Sequence, residues 1–570
     1  MTRNNYPTIL PILIVVFTSL FVGNAQGQSA ELNSLAATLA QSVSAVQSGA
    51  RSYEQSITFS EPAVVKYSYE ETDSKGNRTS YAFEFNLADI DPYAVREQTQ
   101  KDVISVTVVA RSKQKLIKSY KNDVVQSYQS QINILASDID NARKLAETIK
   151  AAIPLAEKVM QQRLQLSGYP TMVDWLVNNV KTVELGDKSI TQSLAKGEHV
   201  GALTFTRVEK DAKSSTEEVY TVNLADINPN AVLYKISGNQ FAISIETIQK
   251  SRYIGLRKDG QQRPYTNGFV IATNNADEAR DLRQVLESAI PLAVKEVKAA
   301  MPSVSSDTDG LQQLAALAGN VTSGDTEFIQ TLEGPCLASF TQTEKTPKSG
   351  TKHAYTLNWM DVNALASRIE VSSDKIYLDV QSVDGRKLFM HTIDDNFKGY
   401  ENSLKIYMAD IEAARRAKVL VDNVSRKCKE SYKHPFAEDP QSTTAYLQSN
   451  ITDQSIDDVT LKQSIEPVDD GNNKYKFTTI EVTSKGSGGE MIYEFNLSDL
   501  NPTSISTDVK GKWLYVTVET DLKGKIIKAY KDGKIQPYTS TLQFAVNEVD
   551  KARNVAAALE KAVKAAKGKL

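Results

Sequence analysis

The chain has 570 residues, 41% hydrophobic and 24% charged, a length that calls for several globular domains. Its 27 Gly and 17 Pro exclude a collagenous or low-complexity chain, and 66 Lys+Arg against 69 Asp+Glu, net −3, give no electrostatic basis for nucleic-acid binding. Two Cys exclude a disulfide-dense scaffold, and four His leave little room for a histidine-rich metal centre.

The N-terminus opens with Arg3 and a largely apolar stretch from Ile9 to Val22. Small residues, Gly23 and Ala25, follow at −3 and −1 of a cut after Ala25. This is the form of a secretory signal peptide over residues 1–25, and it is too short for a typical membrane span. No later segment offers the run of about 18 uncharged apolar residues that a span needs. The mature chain is therefore expected to be exported to the periplasm, cell surface or extracellular space, without a transmembrane segment.

One phrase then occurs four times: YAFEFNLADIDP (Tyr81 to Pro92), YTVNLADINP (Tyr220 to Pro229), YTLNWMDVNA (Tyr355 to Ala364) and YEFNLSDLNP (Tyr493 to Pro502). Its Asn stands at Asn86, Asn223, Asn358 and Asn496, in nearly equal steps. Arg143, Arg280, Arg415 and Arg553 follow the Asn at one unvarying distance, and Tyr128, Tyr265, Tyr400 and Tyr538 at another. Fixed spacing over this half implies one backbone plan repeated four times. The variation lies in the first half, where Gln55, Gln192, Gln330 and Gln463 precede the Asn at distances that differ between copies. The expected divisions are 26–165, 166–302, 303–436 and 437–570, called repeats 1 to 4 below.

Within a repeat, a short helix comes first, marked by Leu39 and Val43 in repeat 1. Strands with period-two alternation follow, for example Ile104, Val106 and Val108 around Ser105 and Thr107. An earlier strand carries an aromatic residue four before a Glu: Tyr67 and Glu71, Phe205 and Glu209, Phe340 and Glu344, Phe477 and Glu481. The repeat closes in a longer helix, whose stripe in repeat 1 runs Ile139, Ala142, Leu145, Ala146, Ile149 and Ile153. Ser137, Asn274 and Asn547, each three before an Asp, predict capped starts, whereas Ala409 predicts a fraying one. Pro154 and Pro291 predict a kink or split.

The fold class is therefore α+β. Each unit is a curved antiparallel sheet of about six strands with a short N-terminal and a longer C-terminal helix. The element order resembles the pleckstrin-homology-type half-barrel. That resemblance covers each unit's outline, and no phosphoinositide-binding basic motif recurs. A plain curved sheet with helices on one face fits the same pattern.

The repeated polar residues read as structure. Asn86 with Asp89, Asn223 with Asp226, Asn358 with Asp361 and Asn496 with Asp499 have the form of an N-cap with its acid, as the strand leaves the sheet through one helical turn. Each recurring Arg follows a core Ala, so its charged head needs a partner. The expected partner is a carboxylate of its own unit, the strand Glu ahead of the turn Asp. Cys336 and Cys428, in one exported domain, are expected to form a disulfide, both facing inward by strand and helix phase.

No HExxH, GxSxG, Walker A or helix-opening GxGxxG occurs. No catalytic, cofactor-binding or metal-binding residues are assigned, and no cofactor is expected. The expected function is that of an exported, non-enzymatic binding or scaffold protein of the cell envelope, with an unidentified protein or envelope component as partner. The alternatives are a carrier of an apolar ligand held between sheet and helix, or an enzyme with its site in repeat 3. That repeat holds Trp359, both Cys and His353, His391 and His434.

Overall fold

The structure, a computed structural model, describes residues 30–568 other than 62, 165, 186–187, 238–239 and 469–472. The expected signal peptide and the division at Gln165 lie outside the described residues. Eight α-helices are described: α1 (30–42), α2 (Ile139–Arg163), α3 (Tyr169–Asn179), α4 (Ala276–Ala299), α5 (Asp307–Leu317), α6 (Ile411–Ser431), α7 (Pro440–Asn450) and α8 (Val549–Ala566). Between each short helix and the long one after it lie nine strands, or ten in repeat 4.

The fold is α+β with antiparallel sheets throughout, and no sheet among the described residues closes into a barrel. Each repeat divides its strands between a six- or seven-stranded sheet and a separate three-stranded one, rather than forming a single sheet of about six. In repeat 1 the smaller sheet joins Arg96–Gln100, Val103–Val109 and Gln131–Ala136. The extra strands escape periodicity because they lack apolar alternation: Arg96–Gln100 reads REQTQ and is largely exposed.

The recurring Gln joins the two sheets. Gln192 donates from Nε2 to the Ala272 carbonyl at 2.6 Å, and its Oε1 accepts from the Ala272 amide at 3.0 Å. Gln330 does the same with Tyr407, and Gln463 with Ala545. A buried primary amide matches a peptide group donor for acceptor, so both polar groups are satisfied away from water.

The long helix covers this corner. In α2 the buried residues Ala142, Leu145, Ala146, Ile149, Ile153 and Met160 pack with Val106, Val108, Ile132 and Ile134 of the smaller sheet and Tyr67, Phe83 and Phe85 of the larger. Each large aliphatic side chain among them contributes about 1.5–3 kcal/mol through burial. That packing carries α2 and α4 unbroken through Pro154 and Pro291, so the expected split does not occur.

The helix caps fall one residue later than the sequence spacing suggested. Asp138, Asn275 and Asp410 accept from the amides of Asn141, Glu278 and Ala413. The start of α6 is therefore capped rather than frayed. Of the four long helices, α2, α4, α6 and α8, the one without a side-chain cap is α8, where Glu548 takes the position.

The described chain divides into two compact units, one ending at Ala299 and one beginning at Ala300. Each holds two repeats joined through apolar packing. In the first, Ala110, Leu116 and Tyr128 of repeat 1 belong to the same buried cluster as Phe205, Phe241 and Leu282 of repeat 2. In the second, Tyr400 of repeat 3 is buried among Leu514, Val516 and Val555 of repeat 4, with Met390 and Phe397 packed alongside.

Candidate functional site

The recurring residues meet at the joints between paired repeats. In all four copies the motif Asn caps a single 3-10 turn: the Oδ1 of Asn86, Asn223, Asn358 and Asn496 accepts from the amide two residues on. The turn carries the following acid into the protein, leaving Asp89, Asp226 and Asp361 buried and Asp499 half-buried.

At the joint of repeats 1 and 2, Asp89 takes both oxygens to a guanidinium. Arg280 donates from Nε to Oδ1 at 2.9 Å and from Nη2 to Oδ2 at 2.5 Å. Its Nη1 donates to Asp277 Oδ1 at 2.5 Å. The Arg280 side chain is only 9% exposed. Burial works against its charge, but the Asp89 and Asp277 carboxylates outweigh that and raise its pKa. Arg163 of α2 pairs with Asp281 of α4 nearby. The ring of Tyr128 meets Phe241 edge-on, with centroids 4.5 Å apart.

The joint of repeats 3 and 4 repeats the arrangement. Arg553 pairs with Asp361 and with Asp550. Asn358 donates to both Asp550 oxygens, at 3.1 and 2.9 Å. Tyr432 lies under the guanidinium of Arg553, 5.3 Å from its centroid, and Tyr400 donates to the Asn547 carbonyl at 2.9 Å.

Each Arg thus pairs with a carboxylate of its own repeat as expected, but that carboxylate is not the strand Glu. Every Arg takes an acid three residues back on its own helix: Asp140, Asp277, Glu412 or Asp550. Arg280 and Arg553 add the turn Asp of the preceding repeat. The strand acids pair locally instead, Glu71 with Arg51, Glu209 with Arg207 and Glu344 with Lys375. The reason is strand length. The strand Val64–Thr72 leaves the core after Tyr67, and Glu71 lies at its partly exposed end.

Open clefts border both joints. One of about 530 Å³ is lined by Asp89, Arg111, Glu157, Tyr234, Arg280 and Glu287. The other, about 140 Å³, is lined by Asp361, Arg386, Leu388, Leu514 and Arg553. A third cleft, about 320 Å³, lies on the repeat 1 sheet, where the Tyr69 and Tyr81 rings stack at 5.0 Å beside Tyr120 and Lys66.

The candidates of repeat 3 serve separate elements. The Sγ atoms of Cys336 and Cys428 are 2.06 Å apart, at disulfide distance. Asp307 Oδ2 approaches Cys336 Sγ at 3.1 Å. Those three residues form the one cluster of metal-ligand type among the described residues, but sulfurs shared in a disulfide offer no thiolate. Trp359 is 1% exposed and fills core. His353 Nδ1 and His391 Nε2 are 3.1 Å apart on neighbouring strands, with Tyr355 stacked on His391 at 4.4 Å. Burial lowers the His391 pKa, and the facing His353 adds to the shift. His434 instead meets Asn554 Oδ1 at 2.8 Å.

Two contributors escaped sequence reasoning. The role of the recurring Gln was unassigned, although its repetition marked it. An apolar residue at a constant distance after the motif Asn, Leu116 in repeat 1 and Leu388 in repeat 3, is buried in the joints with no polar signature to announce it. No described helix is long and apolar enough to cross a membrane. Comparison with protein families, curated proteins and solved structures finds no match for this chain.

Proposed function

We propose that the protein is an exported, non-enzymatic scaffold of the cell envelope, whose four repeat domains present binding surface to a partner protein or envelope component. One observation carries this reading. The polar residues that recur in every repeat serve turn caps, sheet-to-sheet pins and repeat-to-repeat joints, which are structural tasks. Tandem modules held in fixed pairs raise effective concentration towards a multivalent partner. The leader-like N-terminus and the cysteine pair at disulfide distance support an oxidising destination. The pleckstrin-homology-like outline of each repeat belongs to the same proposal. The carrier reading is less favoured, because core side chains such as Phe205, Phe241 and Phe269 occupy the space between sheet and helix in repeat 2.

The test is fractionation of expressing cells, mass determination of the product, and cross-linked capture from envelope extract with the whole chain. Cleavage after Ala25 and capture of one envelope component support the proposal. An uncleaved chain retained in the cytosol overturns it.

A further inference from the structure

Each repeat carries two complementary faces. One is an acceptor, made by the turn Asp, the apolar residue that Leu116 and Leu388 represent, and the recurring Tyr. The other is a donor, made by the start of the long helix with its Arg. Inside each compact unit, the donor of the later repeat covers the acceptor of the earlier one. The acceptors of repeats 1 and 3 are accordingly buried: Leu116 and Leu388 are both 4% exposed, and Tyr128 and Tyr400 are 8% and 3% exposed.

The same positions in repeat 4 are open. Ile526 is 50% exposed and Tyr538 46%, and the half-buried Asp499 has no cation partner among the described residues. The donor of repeat 1 is open too. The Arg143 side chain is 63% exposed and held only by Asp140 on its own helix, whereas the side chains of Arg280 and Arg553 are 9% and 19% exposed. Ile139, at the start of the same helix, is 40% exposed. The two open faces are the two halves of a joint the chain already builds twice, with matching apolar residues and opposite charge.

We propose that the protein associates head to tail with a second copy of itself, the long helix of repeat 1 in one chain seating on the turn and hairpin of repeat 4 in another. The seated geometry is that of the internal joints: Arg143 takes Asp499, and Ile526 and Tyr538 lose their exposure to the incoming helix. The two faces differ, so the contact is heterologous and each added chain leaves one of each kind open; growth ends only if a ring closes. The proposal goes beyond the scaffold reading and stands apart from it, since self-association and capture of an envelope partner can each hold without the other.

Sedimentation velocity of the full chain, over concentrations up to about 100 μM, is the test. The wild type is expected to gain mass with concentration. Arg143→Asp, with a dead donor, and Tyr538→Asp, with a dead acceptor, are each expected to remain monomeric. Their mixture is expected to give a 1:1 dimer and nothing larger. Arg143→Asp combined with Asp499→Arg is expected to restore association. Arg143 and Tyr538 are exposed, so both variants keep the fold, which circular dichroism verifies. A wild type that stays monomeric over the whole range overturns the proposal, as does association indifferent to Arg143→Asp and Tyr538→Asp.

Discussion

The joint of repeats 1 and 2 and the joint of repeats 3 and 4 use the same three positions and support them differently. The first is drier. Arg280 grips Asp89 with two donors, its side chain is 9% exposed, and Tyr128 packs edge-on against Phe241. The second leaves its Arg more exposed and surrounds it with other partners. The Arg553 side chain is 19% exposed, and Asn358, Tyr432 and Tyr400 add hydrogen bonds or a ring face. Burial pushes the Asp361 carboxyl up to about 6, and the Arg553 guanidinium beside it only partly opposes that rise. The difference teaches that the ion pair is the fixed part of the joint. The surrounding support can be apolar or polar, provided that no buried charge is left unpaired.

The largest test of this comparison is Arg280→Met, which leaves Asp89 buried and unpaired. It should cost about 3–5 kcal/mol in the first unit, while Arg553→Met should cost less, about 2–3 kcal/mol, because a carboxyl already pushed up to about 6 takes up a proton readily once its guanidinium is gone. Adding Asp89→Leu to Arg280→Met should recover most of the loss. Urea unfolding of each variant measures this, and equal losses at the two joints would erase the distinction drawn here.

Next in size is the Cys336 and Cys428 pair, which has no counterpart in the first unit. Reduction, or Cys428→Ala, should lower the stability of the second unit by about 2–4 kcal/mol and leave the first unchanged. Unfolding with and without reductant separates the two. A shift in the first unit instead would show that the bond acts outside repeat 3.

A smaller effect sits behind the Asp89 turn. The amide of Leu87 donates to the carbonyl of Ala63, a buried residue held at φ 76°, while the matching carbonyl in repeat 2 belongs to Gly201 at φ 82°. Glycine adopts this region freely and alanine does not, so Ala63→Gly should stabilise the first unit by about 1 kcal/mol. Gly201→Ala should do the reverse, because a Cβ there would collide with Asn223 Oδ1. Thermal melting of both variants reads the signs.

The smallest effect is the pH response of His391. Its pKa is lowered in the fold, so near and below its ordinary value of about 6.5 the unfolded chain binds more protons than the folded one. Stability from this group is present at neutral pH and declines on acidification through that window. His391→Gln should flatten the acid side of the second unit's stability profile, and an unchanged slope would show that His391 does not titrate on unfolding.

Local features were legible where the signal is local. Asn86 and its three counterparts cap their turns because an Asx side chain reaches the amide two residues on whatever the tertiary context. The helix stripe from Ala142 to Ile153 lies inward as its spacing indicated. Pairing was not legible. Arg280 stands at the same distance from the motif Asn as Arg143, yet of the two only Arg280 pairs with an acid of another repeat, 191 residues away. Spacing within one repeat cannot distinguish a partner in that repeat from one in the repeat before it. The helix caps were displaced for a simpler reason: polar residues stand side by side at Ser137 and Asp138, and backbone geometry alone decides which of them caps.

The distance along the chain between the two halves of a joint has a consequence for how the protein forms. Asp89 and Arg280 are separated by 191 residues, and Asp361 and Arg553 by 192. A contact that distant joins two surfaces that must each take shape first, so it belongs late in folding. On a growing chain repeat 1 emerges first, with Leu116 and Tyr128 uncovered until α4 arrives. During that interval an apolar, acid-edged surface faces whatever else is nearby. Refolding should therefore show a fast phase from local sheet and helix formation and a slower one from docking, with Arg280→Met acting on the slower phase alone.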